Sequence, residues 1–331
     1  MAFSNTYNTT NTGSAVSNRE QLLDVLTILA PEETPILSMA PKSKATSTFV
    51  EWTVDSLATP TTTGIREGAD VTSFTDKFSG RARLGNYIQK FRRDFQVSDL
   101  QQAVDSVGPA KIAEAEAKSV REIKRDIEAT ICSNNDMTKE NGTDTAYAMR
   151  GLGDWIDSAD PGGLSPVPAS YRTPAASIHA TGDFTESDLN DIITSIYRVS
   201  GNTQNLTLVA DTELRRTISN FARAEGTTSA LVYNVNQDAE AKKITLSVSL
   251  YDSDHGMISI VNMNPDCAPD TTLKDTGYFI NPSMLGVAEL IPLGSTMLEN
   301  QGGGERGYVD AALTLLVKHP GAFGKVTAVK A

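Results

Sequence analysis

The chain has 331 residues, 39% hydrophobic and 21% charged, with 41 acidic against 29 basic side chains and a net charge of −12. Counting its 24 glycines as apolar brings it close to ordinary globular composition, enough for a sizeable core spread over roughly two domains. The acidic balance argues against a general polyanion binder, the short apolar runs against a membrane protein, and the two cysteines against a disulfide scaffold.

Residues 1–18 are dominated by Ser, Thr and Asn and carry no charge. Such a segment buries too little apolar area to offset its chain entropy, so an arm ordered by neighbours is expected, with no secretory signal. Ser17 and Glu20 then have capping-box spacing ahead of Leu22, Val25, Leu26 and Leu29, a helical stripe that Pro31 stops. Thr34-Pro35-Ile36-Leu37 reads as a short apolar element.

Residues 46–97 predict one long hairpin. Val50, Trp52 and Val54 alternate with Glu51, Thr53 and Asp55 on the first arm. The second arm runs from about Arg81 to Val97, with Tyr87, Phe91, Phe95 and Val97 on one face. The connection, which includes Arg66 and Glu67, is long, polar and poor in large apolar residues, and reads as a protruding loop. Lys77, Arg81, Arg83, Lys90, Arg92 and Arg93 fall in a stretch without a single acid. Three readings stay open for them: a solvated strand face, a ribbon lying on an acidic neighbouring subunit, or contact with nucleic acid, which the flanking Asp76 and Asp94 disfavour.

Residues 109–133 predict the principal helix. Pro109 suits the first helical position, and Val120, Ile123, Ile127 and Ile131 form one stripe. Glu114/Lys118 and Lys124/Glu128 have the spacing of surface ion pairs. Residues 160–183, rich in Pro, Gly and Ser, read as a domain boundary. Beyond it Thr185 and Asp188 cap a helix with Leu189, Ile192, Ile193 and Ile196 buried and Gly201 as its stop. A strand at 206–210, a helix capped by Asp211, alternating strands at 244–250 and 257–261, and a long strand from Tyr308 to His319 complete the pattern.

No phosphate-binding loop, nucleophile elbow or HExxH motif is present. His179, His255 and His319 stand alone, Cys132 and Cys267 have no metal spacing, and Gly302-Gly303-Gly304 reads as a turn. No catalytic residue, metal or cofactor is therefore assigned.

The order of these elements resembles the major capsid proteins of tailed phages, the Hong Kong 97 (HK97-like) fold, and especially the podophage-type major head proteins. The likeness rests on the N-arm, the Thr34–Leu37 segment, the long loop leading into a spine helix, the Gly151-Leu152-Gly153-Asp154-Trp155-Ile156 stretch, an α/β unit with two amphipathic helices, and the tail Ala312–Phe323. It implies an α+β fold divided into an arm and first helix (1–45), an extended loop (46–97), a peripheral domain with the spine helix and long strands (98–183 and 301–331) and an axial α/β domain (184–300). It implies a shell of hexamers and pentamers around double-stranded DNA, located in the virion and assembled in the host cytoplasm. The loop residues Trp52, Arg66, Glu67, Lys77, Arg81, Arg83, Lys90, Arg92 and Arg93 would touch neighbouring subunits, and Val120, Ile123 and Ile127 would form the spine core. With the first helix about 16 residues from the start, scaffolding is expected as a separate protein, beside a portal, a decoration protein in some heads, and DNA contact that is non-specific at most. No cross-linking partner can be matched to Lys77.

Three alternatives are weighed against this. A cellular nanocompartment shell of the encapsulin type would share the fold and enclose enzymes instead of a genome. A two-domain α/β enzyme would need converging polar groups, which the sequence does not display. A tail or fibre protein would show repeats, and none is present.

Overall fold

The computed structural model describes residues 33–104, 111–201, 203, 205–221, 249–269 and 274–330. The expected N-arm, the Ser17/Glu20 cap and its helix, Pro109 and the strand at 244–248 lie outside them. Among the described residues the strands form three sheets.

The first is four-stranded, in the order β1 (Lys42–Lys44), β10 (Leu285–Leu298), β11 (Glu305–Val317), β4 (Gln89–Val97). Strands β10 and β11 form a long antiparallel pair running from Leu285↔Val317 to Leu298↔Arg306. The register shifts between Glu289 and Gly294, around Pro292, which has no N–H to give the ladder. Their turn uses the glycine cluster. Gly304 has φ +130°, and a Cβ there would sit 2.4 Å from the Val97 carbonyl oxygen, so only glycine fits.

Helix α3 (Ile112–Cys132) lies against β4 and β11. Its 21 residues span about 31 Å. Ile123, Ile127 and Ile131 are buried in one core with Phe91, Phe95, Val309 and Ala311, whereas Val120 is half-buried at its margin. Helices α1 (Pro35–Met39) and α4 (Leu152–Trp155) pack against the same helix, and the short α2 (Asp99–Ala103) follows β4.

The second sheet is six-stranded and mixed: β5 (Ile178–His179), β12 (Gly324–Val326), β9 (Gly277–Ile280), β6 (Thr207–Ala210), β8 (Gly256–Asn262), β7 (Leu250–Ser253). Helix α5 (Glu186–Ser200) opens with the capping box of Thr185 and Asp188 and buries Leu189, Ile192, Ile193 and Ile196. It ends at Gly201, whose φ of +65° provides the left-handed cap. Helix α6 (Thr212–Phe221) buries Leu214 and Ile218 in the same core.

Sheet membership divides the chain differently from the sequence boundaries. Strand β10, expected in the 184–300 unit, belongs to the four-stranded sheet, and β5 and β12, expected with the spine, belong to the six-stranded one. The chain crosses between the layers more often than the expected two-segment peripheral domain allows. Tyr278 Oη donates to the Cys132 carbonyl (2.8 Å) and Lys325 Nζ to that of Gly153 (2.8 Å) across the joint.

The third sheet is a two-stranded ribbon, β2 (Phe49–Val54) with β3 (Ala82–Tyr87). Here the single second arm expected from the sequence is corrected. The chain breaks at Ile88, whose N–H donates to Thr48 O; β3 pairs with β2, and β4 leaves to join β11. Lys90, Arg92 and Arg93 therefore lie on the four-stranded sheet and not on the loop.

Candidate assembly surface

The ribbon's base is anchored in its own subunit. Leu84 and Asn86 are fully buried, Gly85 N–H donates to Ser165 Oγ (3.0 Å), and Tyr171 Oη donates to Gly80 O (2.6 Å). Asn86 pairs with Arg150, whose guanidinium is wholly enclosed: Nε donates to Asp136 (2.8 Å), Nη1 to Ser165 O (3.0 Å), and the group sits 4.8 Å over the Trp155 ring. Asp154 lies 2.9 Å from the same guanidinium, and burial pushes its carboxyl up to about 6. Neither Asn86 nor Arg150 stands out in the sequence, because each gains its meaning from partners on other elements.

Beyond this base, every residue from 55 to 81 is exposed and none is in a helix or strand. Leu57, Ile65 and Phe74 are 90% exposed or more, and Val71 and Phe78 are exposed with them. Arg66, Glu67 and Lys77 stand among these apolar residues without an ion pair in the described residues. Burying one large apolar side chain contributes about 1.5–3 kcal/mol, so five of them could supply on the order of 10 kcal/mol to a partner contact before ordering entropy is subtracted. Held away from the core, these residues are open to contact with a partner.

The basic ribbon is largely neutralised within the chain. Arg81 pairs with Asp55 (2.8 Å), Arg83 with Glu51 (3.8 Å), Lys90 with Asp310 (3.1 Å) and Arg93 with Asp126 (2.6 Å). The hydrogen bond from Arg81 holds the Asp55 carboxyl below its ordinary range. Arg92 lies 6.0 Å from the centre of the Tyr308 ring. These acids come from β2, the residue just after it, β11 and α3, so an acid-free stretch of sequence does not make an unpaired surface. Trp52 also faces inward: it is half-buried with its ring 5.6 Å from that of Trp155.

On α3 the expected surface pairs are replaced. Glu114 pairs with Arg121 (3.3 Å) and Lys118 with Glu122 (3.9 Å). Glu128 is completely buried, its carboxylate accepting the N–H groups of Ile36 (2.8 Å) and Leu37 (2.9 Å). Burial raises its pKa, and the two N–H bonds oppose that shift. Cys132 and Cys267 are free and buried, and burial pushes both thiols up, Cys267 to about 11. Among the described residues no group of His, Cys, Asp or Glu is arranged to hold a metal, and no helix is long and apolar enough to cross a membrane.

Two sheets that meet at the end of one long helix, with a ribbon rooted in the core and an exposed apolar loop carried beyond it, are the layout of the HK97-like capsid fold. The structure aligns with the capsid of the cyanophage P-SCSP1u at a TM-score of 0.63 and 12% identity, over 98% of this chain and 97% of that one. It aligns with the capsid of the native GTA particle at 0.60 and 12%, over 98% and 99%. The SrpI encapsulin of Synechococcus elongatus PCC 7942 has the same fold, at 0.53 and 11%, over 96% and 94%.

The chain belongs to the SU10 major capsid protein family, whose model matches residues 4–330. It is thus a structural protein of the phage head shell, located in the virion capsid, and not an enzyme. No curated protein matches it in sequence. The encapsulin likeness concerns the fold alone, and the family match sets the chain with phage heads.

Proposed function

We propose that this chain is the repeating unit of hexamers and pentamers that close into an icosahedral head around double-stranded DNA. The loop 55–81 lies across a neighbouring subunit and buries Leu57, Ile65, Val71, Phe74 and Phe78 there. The six-stranded unit with α5 and α6 occupies the capsomer centre, and the four-stranded sheet with α3 occupies its periphery. The observation that carries this reading is the exposed apolar loop tip on a firmly anchored ribbon. With a net charge of −12, contact with the packaged DNA is non-specific at most. A separate scaffolding protein, a portal and, in some heads, a decoration protein act with it, and assembly takes place in the host cytoplasm.

Light scattering and negative-stain microscopy of the expressed chain, with and without a co-expressed scaffold, test the reading. Closed particles with five- and six-fold capsomers are the expected result. A stable monomer under all these conditions overturns it.

A further inference from the structure

Glu128 presents an unusual expense for a helix interior. A carboxylate with no exposed surface, and with no cation facing it among the described residues, is unfavourable unless its oxygens are bonded. Both are: one takes the Ile36 N–H at 2.8 Å and the other the Leu37 N–H at 2.9 Å, from a segment 92 and 91 residues away. Thr34 makes no side-chain cap for α1, so Glu128 satisfies the turn that the local sequence leaves open.

The segment that Glu128 holds touches both layers. At its start, Asn264, which follows β8 of the six-stranded unit, donates through Nδ2 to Glu33 O (2.9 Å). At its end, Val287 N–H donates to Pro41 O (2.9 Å), β1 runs parallel to residues 287–289 of β10, Lys42 pairs with Glu289 (2.7 Å), and Ala45 N–H donates to Glu289 O (2.9 Å). Ile36, between these ends, is fully buried in the spine core. The three residues of β1 are all exposed, so the segment's hold on β10 is shallow and its deep anchor is the α1–α3 contact.

We infer that residues 33–45 form a strap across the joint between the two layers, and that Glu128 is the positioning residue that sets it. The strap ties the turn after β8, the spine helix and β10 to one another, so its seating, together with the Tyr278–Cys132 and Lys325–Gly153 bonds, sets the angle between the six-stranded unit and the four-stranded sheet. In the shell proposed above, that angle is what a change of curvature would alter. This last consequence rests on the shell reading above; the strap itself does not.

The test uses the full chain with Glu128→Gln and Glu128→Ala. Limited trypsin digestion is followed by mass spectrometry at the Lys42–Ser43 and Lys44–Ala45 bonds, with the bonds after Arg93 and Arg125 as internal references. Glu128→Ala should be cut at least ten-fold faster than the parent at the two strap bonds and at the parental rate at the references. Glu128→Gln should fall between, because its carbonyl oxygen keeps one N–H while its amide group faces the other. If Glu128→Ala is insoluble, the Gln variant carries the comparison. Unchanged strap cleavage, or a rise of equal size at all four bonds, overturns the inference. Particles assembled from Glu128→Gln subunits should have a broader size distribution; particles of parental size from a variant whose strap is cut faster would overturn the assembly role. Failure of the parent chain to form particles would count against the shell reading, while the digestion still decides the strap.

Discussion

The Arg150 backbone N–H donates to Asn86 Oδ1 at 2.8 Å, and Asn86 Nδ2 donates back to the Arg150 carbonyl at 3.3 Å. The same amide group reaches Leu315 O at 3.0 Å, so one buried side chain joins the ribbon, the segment after the spine and a central strand of the four-stranded sheet. This is the point at which a free-standing loop is fixed to a rigid body.

Removing that side chain leaves an N–H and two carbonyls without their partner in a closed environment. Asn86→Ala should destabilise the subunit by about 2–4 kcal/mol, since each buried group left unpaired costs roughly 1–3 kcal/mol and relaxation recovers part of it. Urea unfolding of the unassembled subunit measures this. A loss below about 0.5 kcal/mol would show that the ribbon is held elsewhere.

Asp154 supplies a pH dependence with a definite sign. Burial raises its folded-state carboxyl from 3.8 to about 6 against the opposing pull of Arg150. A raised acid binds more protons folded than unfolded, so its contribution to stability falls as pH rises from about 4 to about 6, then levels off. Asp154→Asn, which stays neutral, should therefore gain on the parent chain across that window and keep the gain at pH 7. Melting temperatures from pH 4 to 8 check it. A variant that loses ground across the window would mean that pairing with Arg150 outweighs burial.

The spine stripe is graded. Ile123 has no exposed surface while Val120 is half-buried, so Ile123→Ala should cost about 2–5 kcal/mol and Val120→Ala about 1 kcal/mol. Equal losses at the two sites would mean that Val120 is covered more fully than the subunit alone shows.

How much of this fold is legible in the sequence depends on where the signal lies. Helix α5 could be read almost to the residue, because the Thr185/Asp188 box, the apolar stripe and Gly201 are all local. Strand β11 is legible from its apolar run, expected from Tyr308 to His319 and observed over Glu305–Val317. Strand β10, the longest among the described residues, is not legible, because Pro292 and Gly294 read as breakers and only pairing with β11 overrides them. Nothing in the chain marks the break at Ile88, so the sequence reads as a single arm with its basic residues on one ribbon. Glu128 shows the same limit from the other side: its spacing to Lys124 suggests a surface pair, and only the folded chain brings Ile36 and Leu37 to it. For the assembly surface, the loop's lack of a home core was legible and its charge pairing was not.

That charge pairing is testable by exchange. Arg81→Glu opposes Asp55 within the same ribbon, so it should loosen the ribbon and lower particle yield. The double exchange Arg81→Glu with Asp55→Arg should restore the yield, because the pair is re-formed inside one subunit. Particle yield by sedimentation reads the result. If the double exchange assembles no better than the single one, Arg81 meets its acid on a neighbour instead.

The central claim is that the loop tip joins subunits without supporting its own. Replacing residues 58–76 by a short glycine linker removes Ile65, Val71 and Phe74 but leaves the Arg81–Asp55 pair and the Tyr171–Gly80 bond that hold the ribbon. Particle formation by this variant, read by light scattering and negative stain beside its melting temperature, is the direct measurement. The account predicts a folded subunit that melts close to the full chain and forms no closed particles. Normal particles from the shortened chain, or a chain that no longer folds, would contradict it.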